Sequence, residues 1–214
     1  MYFGDHPFGE SRWGVHFDGQ LRMEGVADTN NQVLLRPGVN FDVNETVQIS
    51  GGYAFIDTKN LLDDGSRFDK PENRLWEQLI LRQPIGRTRL VHRYRLEQRF
   101  IGRVEANAAA TGGRVAGYTH QNRFRYFLKA TRPLGESSRA YAAFYNELMV
   151  SFGNNVASNF FDQNRTYGAV GFRFEGIGSL ELGYLLQIVQ RPSGMVFEYN
   201  HTLQIGLFSS RPIG

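Results

Sequence analysis

Polar and apolar residues alternate with a two-residue period along nearly the whole chain, and helical periodicity is almost absent. That period marks β-strands, whose successive side chains point to opposite faces. The stretch "RWGVHFDGQLRME" is the clearest case: Trp13, Val15, Phe17, Leu21 and Met23 share one face, while Arg12, His16, Asp18, Gln20, Arg22 and Glu24 share the other. Further strands are expected near 32–42, where Pro37 marks a bulge or edge, and near 46–57. A fourth near 74–84 is ambiguous, because Trp76 and Ile80 compete with Leu75, Leu79 and Leu81 for the apolar face. The fifth contains "HRYRLEQRF" (92–100), with Arg93, Arg95, Glu97 and Arg99 on one face and Tyr94, Leu96 and Phe100 on the other. Five more follow near 120–132, 139–152, 164–174, 180–188 and 197–207.

About ten strands result, joined by connections that alternate in length. Short turns near 43–45, 85–87, 133–138 and 175–178 fall at one end. Longer or intermediate loops near 25–31, 58–73, 102–119, 153–163 and 191–195 fall at the other. No linker or internal repeat divides the 214 residues, so one domain is expected, with residues 1–11 as an N-terminal arm.

Alternation alone does not say which face is inside. A soluble barrel turns its apolar face inward, whereas an outer-membrane barrel turns it toward lipid and fills its interior with polar groups. Three features favour the second. The strands reach the 9–11 residues or so that a tilted membrane strand needs. Short turns oppose longer loops, and rings such as Trp13, Phe41, Phe55, Phe100, Phe124, Phe152 and Phe174 gather near strand ends. The expected fold is therefore an all-β, closed, antiparallel up-and-down transmembrane β-barrel with an Arg-rich lumen. Its lumen network would comprise Arg12, Asp18, Arg22, Glu24, Arg36, Arg93, Arg95, Glu97, Arg99, Arg123, Arg125, Lys129, Glu147, Arg165, Arg173, Glu181 and Glu198. Isolated buried charges are costly, so these groups are expected to pair and to plug the lumen.

The totals sharpen this picture in a few places. Lys and Arg number 24 against 21 Asp and Glu, a near balance that does not suggest nucleic acid as a partner. The absence of cysteine excludes disulfides and thiolate metal sites. The start "MYFGDHPFGE" has neither the basic nor the apolar region of a secretory signal, which fits a processed chain if the protein is exported.

The stretches "HRYRLEQRF" (92–100), "NRFRYFLKATRPLG" (122–135), "FYNELMVSFG" (144–153) and "FDQNRTYGAVGFRF" (161–174) resemble an uncharacterised family of small outer-membrane β-barrels from Gram-negative bacteria, a domain-of-unknown-function family. The resemblance implies fold and location. It brings no activity, substrate or catalytic residue.

Candidate chemistry is sparse. "GYTHQNRFRY" faintly resembles the His-x-Ser stretch of outer-membrane phospholipases, but Asn122 stands where the nucleophile would be. Asp63, Asp64 and Asp69 in "LLDDGSRFD" could serve an omptin-like protease or bind calcium; a solvated loop is the simpler reading, as it is for "DTNN" (28–31) and "AAATGGRVAG" (108–117). His16 is expected as an ion-pair member beside Asp18, His201 as an interfacial residue on the apolar face, His92 as structural, and His6 in the arm. No catalytic, cofactor-binding or metal-binding residue is assigned. The leading expectation is a non-enzymatic barrel with a structural, scaffolding or narrow-pore role, in contact with outer-membrane lipid and possible subunits of a membrane assembly. A hydrolase at the outer rim and a soluble ligand-binding barrel are the alternatives.

Overall fold

The computed structural model describes residues 1–24, 29–61, 67–106 and 113–214. Among the described residues there are eleven strands and no helix. The strands are β1 (Tyr2–Pro7), β2 (Trp13–Glu24), β3 (Thr29–Asp42), β4 (Val47–Leu61), β5 (Arg67–Ile85), β6 (Thr88–Ala106), β7 (Gly113–Pro133), β8 (Ala140–Phe152), β9 (Phe161–Phe174), β10 (Gly178–Gln190) and β11 (Phe197–Ser209). Strands β2 to β11 form an antiparallel meander, each paired with its sequence neighbour, and the sheet closes into a barrel.

The ten long strands fall where alternation places them, but β4 to β7 run on into residues expected as the loops near 58–73 and 102–119. The eleventh strand is a departure: residues 2–7, expected as an arm, form β1 and lie between β2 and β11. β1 is antiparallel to β2 but parallel to β11, with Tyr2 opposite both Gly19 and Leu207. Backbone pairing holds it there, since an unpaired seam would leave two rows of unsatisfied amides and carbonyls. The N-terminal ammonium donates to the Ile205 carbonyl at 2.9 Å.

Short turns join β3 to β4, β5 to β6, β7 to β8 and β9 to β10 at one end, here the turn end. The tightest spans Gly86 and Arg87 between the paired residues Ile85 and Thr88, and Gly86 sits at φ 55°, as a two-residue hairpin turn demands. The opposite end, the loop end, carries connections of four to eight residues, against two to six at the turn end.

β5 settles its ambiguous pattern through one side chain. Trp76 faces the interior and is 2 % exposed, whereas Leu75 on the outer face is 53 % exposed. The indole occupies a slot made by Gly38 and Gly52, where an added Cβ would lie 2.4 and 3.0 Å from the ring. Its Nε1 donates to the Tyr53 carbonyl at 3.2 Å. With Leu34, Ala54 and Ile56 it makes one apolar cluster in a largely polar interior, where Ala143, Met149 and Leu185 are also buried.

Candidate functional site

Alternation places Arg93, Arg95, Glu97 and Arg99 on the inner face of β6; the adjacent strands add Glu72 and Arg74 from β5 and Arg123 and Arg125 from β7, and β8 adds Glu147. Glu97 is the hub and is fully buried. Its Oε2 accepts from Arg123 Nε at 2.9 Å, and its Oε1 from Arg125 Nη1 at 2.8 Å. Arg74 lies 3.6 Å away, and Arg36 and Arg95 each 4.0 Å, so five guanidiniums surround one carboxylate. The network continues outward from this hub. Glu147 pairs with Arg125 at 2.7 Å and Arg93 at 2.8 Å. Glu72 bridges Arg74 at 2.7 Å and Arg99 at 2.5 Å. Asp162 binds Arg123 at 2.7 Å, and Asp18 binds Arg36 at 2.7 Å. Arg95 has no carboxylate closer than 4.0 Å; its Nε donates to Gln78 at 2.9 Å and its guanidinium lies 4.9 Å from the Trp76 ring. A separate cluster joins Glu181 to Lys129 at 2.6 Å and to the Tyr141 hydroxyl at 3.0 Å.

Most of the expected lumen residues meet in these clusters. Arg22 and Arg165 are inside too, but donate to the amides Gln20 and Gln163. Three expectations are corrected. Arg12 precedes β2 and is exposed at the turn end, where it donates to the Asp42 and Val43 carbonyls and covers the Phe41 ring. Arg173 lies in the last residues of β9 and is exposed, stacked over Tyr141. Glu198 is at the start of β11 and pairs with Arg191 across the exposed loop between β10 and β11. Each has the correct parity but lies at a strand end, beyond the enclosed part of the barrel. The Glu24 side chain lies outside the described residues, as do Asp28, Asp63, Asp64 and residues 108–112.

Glu72, Arg74 and Asp162 were missed by the sequence reading. The first two share the even-numbered face of β5 with Trp76, and that tryptophan obscured their alternation. Asp162 lies one residue into β9, ahead of where the apolar pattern begins.

The histidines are dispersed. His16 is buried with its Nδ1 2.7 Å from Asp5 Oδ1, so its partner is on β1 and is not Asp18. His6 contacts the Tyr2 hydroxyl at 2.6 Å and the Arg211 carbonyl at 2.7 Å. His92 and His201 face outward, against Tyr126 and Tyr184 respectively. The His120 ring lies against Phe100 near the loop end. Among the described residues no three His, Asp or Glu side chains converge as metal ligands would.

The outer face is mainly apolar; beside His92 and His201 it carries several polar groups, two of which bear on the argument. Asn146, Asn164 and Thr166 form one across β8 and β9: the two amides exchange hydrogen bonds at 3.0 and 3.1 Å, and Asn146 also donates to Thr166 at 2.9 Å. Glu77 on β5 is the other, and accepts from Gln98 at 3.0 Å.

A closed barrel with charge inside and apolar residues outside is a porin-like β-barrel. Its fold is similar to that of the NanC porin, with 10 % sequence identity, a TM-score of 0.52 and coverage of 94 % of this chain and 87 % of that one. Residues 1–198 match the family described as "Protein of unknown function (DUF2490)", and the chain belongs to that family. An uncharacterised protein of Methylorubrum extorquens is 24 % identical over 183 residues, covering 83 % of this chain and 72 % of that protein.

Proposed function

We propose that the protein is an integral outer-membrane β-barrel, non-enzymatic, with a structural or scaffolding role and a lumen closed by its ion-pair network. The observation that carries this reading is the inversion of faces in a closed barrel. Glu97, Arg95 and Arg123 are at most 3 % exposed inside, while Leu21, Val170 and Leu203 outside are 59 to 73 % exposed. In water such a surface would aggregate; in a bilayer it matches its solvent. Trp13 and Phe41 at the turn end and Phe100 and Phe152 toward the loop end supply rings where interfaces would lie. The turn end, which also holds the C-terminal residues, would face the periplasm.

The network also supports a closed lumen. Salt bridges link inner-face residues of β5, β6, β7, β8 and β9, and Arg36 extends the set to β3 and, through Asp18, β2. A narrow-pore role has one observation in its favour. Arginines outnumber carboxylates in the interior, with Arg22, Arg95 and Arg165 bound to amides instead, and such a passage would prefer anions.

Two measurements test this reading. Unboiled protein in detergent should migrate differently from boiled protein on an SDS gel; solubility in plain buffer without such a shift would refute the membrane barrel. In planar bilayers no steady conductance is expected. Steady anion-selective openings would replace the closed lumen with the narrow pore.

A further inference from the structure

Glu77 lies at the edge of a wide, open groove of about 880 Å³ on the outer face. Its walls come from six adjacent strands, β2 to β7, with Val39, Ile49, Leu79 and Leu96 as aliphatic surface and Tyr94 and Phe124 as rings. The hollow exists because Gly51 is paired directly with Glu77. A Cβ at Gly51 would meet only the Trp76 carbonyl oxygen, at 3.4 Å, so the space above it is free for an occupant.

The carboxylate is out of place on this surface. Its strand neighbours on the same face are Leu75 and Leu79, and Leu96 lies across from it on β6. Gln98 supplies one hydrogen bond to Oε1, and among the described residues no Lys, Arg or His pairs with Glu77. An ionisable group in the apolar band of a membrane protein is expensive, and such groups mark binding or transport sites. The chain's own cations do not serve it: the arginines of β5 to β7 at this level point inward, to Glu72, Glu97 and Glu147 and, from Arg95, to Gln78. A second copy meeting the groove through these same strands at this level would bring leucine, tyrosine and phenylalanine side chains and no cation to Glu77. The groove runs from Glu77 to Trp13 and Phe41 near the turn end, so an occupant could enter from the bilayer or from its interface.

We propose that the groove beside Glu77 binds a membrane-dissolved amphiphile whose polar head is a protonated amine. The alkyl chain lies on the aliphatic wall, the ammonium meets the free lobe of the Glu77 carboxylate, and Tyr94 and Phe124 offer ring faces to the cation. This site rests on the membrane-barrel reading above.

The test uses the full chain in neutral detergent with two photoactivatable probes of equal length, a hexadecylamine and a hexadecanol carrying the same diazirine. The amine is expected to label the peptides holding Leu79 and Leu96 about tenfold more than the alcohol, the worth of one hydrogen bond to a charged group. Glu77→Gln should bring amine labelling down to the level of the alcohol. Gly51→Phe, which keeps the carboxylate but fills the hollow, should lower labelling by both probes. Equal labelling by amine and alcohol, or amine labelling unchanged in Glu77→Gln, would overturn the site. Heat-modifiability is read on the same samples. A shifted band without amine preference refutes only this site, and a soluble protein without a shift refutes the barrel reading beneath it.

Discussion

Glu77 and Glu97 lie on adjacent strands, β5 and β6, and their backbones are nearly in register: Glu97 is paired with Trp76, one residue from Glu77. One residue of offset turns them to opposite faces. Glu97 is enclosed by guanidiniums from β3, β5, β6 and β7, whereas Glu77 has a single amide. The same side chain is thus a structural hub on one face and an unmet demand on the other. The Asn146–Asn164–Thr166 cluster shows that a polar group on the outer face can be met locally, because each amide there gives two hydrogen bonds. Neutral amides satisfy one another; a lone carboxylate needs a donor from elsewhere.

Breaking the inner side of this comparison should have the largest effect. Glu97→Ala leaves several buried guanidiniums without their shared counter-ion, and should cost about 3–5 kcal/mol in urea unfolding of the detergent-solubilised barrel. A loss below about 1 kcal/mol would mean that water or the other carboxylates already compensate the arginines. Glu147→Gln removes charge from two pairs but keeps a hydrogen-bond acceptor, so a loss of about 1–3 kcal/mol is expected in the same assay. On the outer face the sign reverses. Glu77→Leu should stabilise the barrel in detergent by about 1 kcal/mol, because it replaces an unpaired carboxylate with lipid-compatible surface. Destabilisation by that variant would show that the Gln98 contact outweighs the exposure of charge. Smallest of all, Glu198→Ala, which breaks the exposed pair with Arg191, should change stability by less than about 0.5 kcal/mol.

The contrast also explains how far the sequence could be read. Period-two alternation made the ten long strands visible and assigned parity correctly in all but β5, so Arg93, Arg95, Glu97 and Arg99 were legible as inner-face residues from the order of residues alone. Parity does not carry height. Arg12, Arg173 and Glu198 have inward parity but lie at strand ends, and only the relative stagger of neighbouring strands shows it. β5 was blurred because Trp76 belongs inside for a reason of shape, the slot at Gly38 and Gly52, which hydropathy does not record. β1 was missed because "YFGDHP" contains Gly4 and Pro7 and no clean alternation; its place comes from ladder bonds to partners remote in sequence. The groove was illegible for a related cause. Glu77 reads as one more polar residue until Gly51 is found opposite it.

The parallel seam bears on time rather than on strength. Every hairpin of the meander can form between segments that are neighbours in sequence, but β1 must pair with β11, which begins some two hundred residues later, at Phe197. Loops of that span close slowly, because their entropy is lost before any contact compensates it. Until that pairing forms the meander keeps two open edges, so the contact that completes the ladder is also the one that encloses the arginine network.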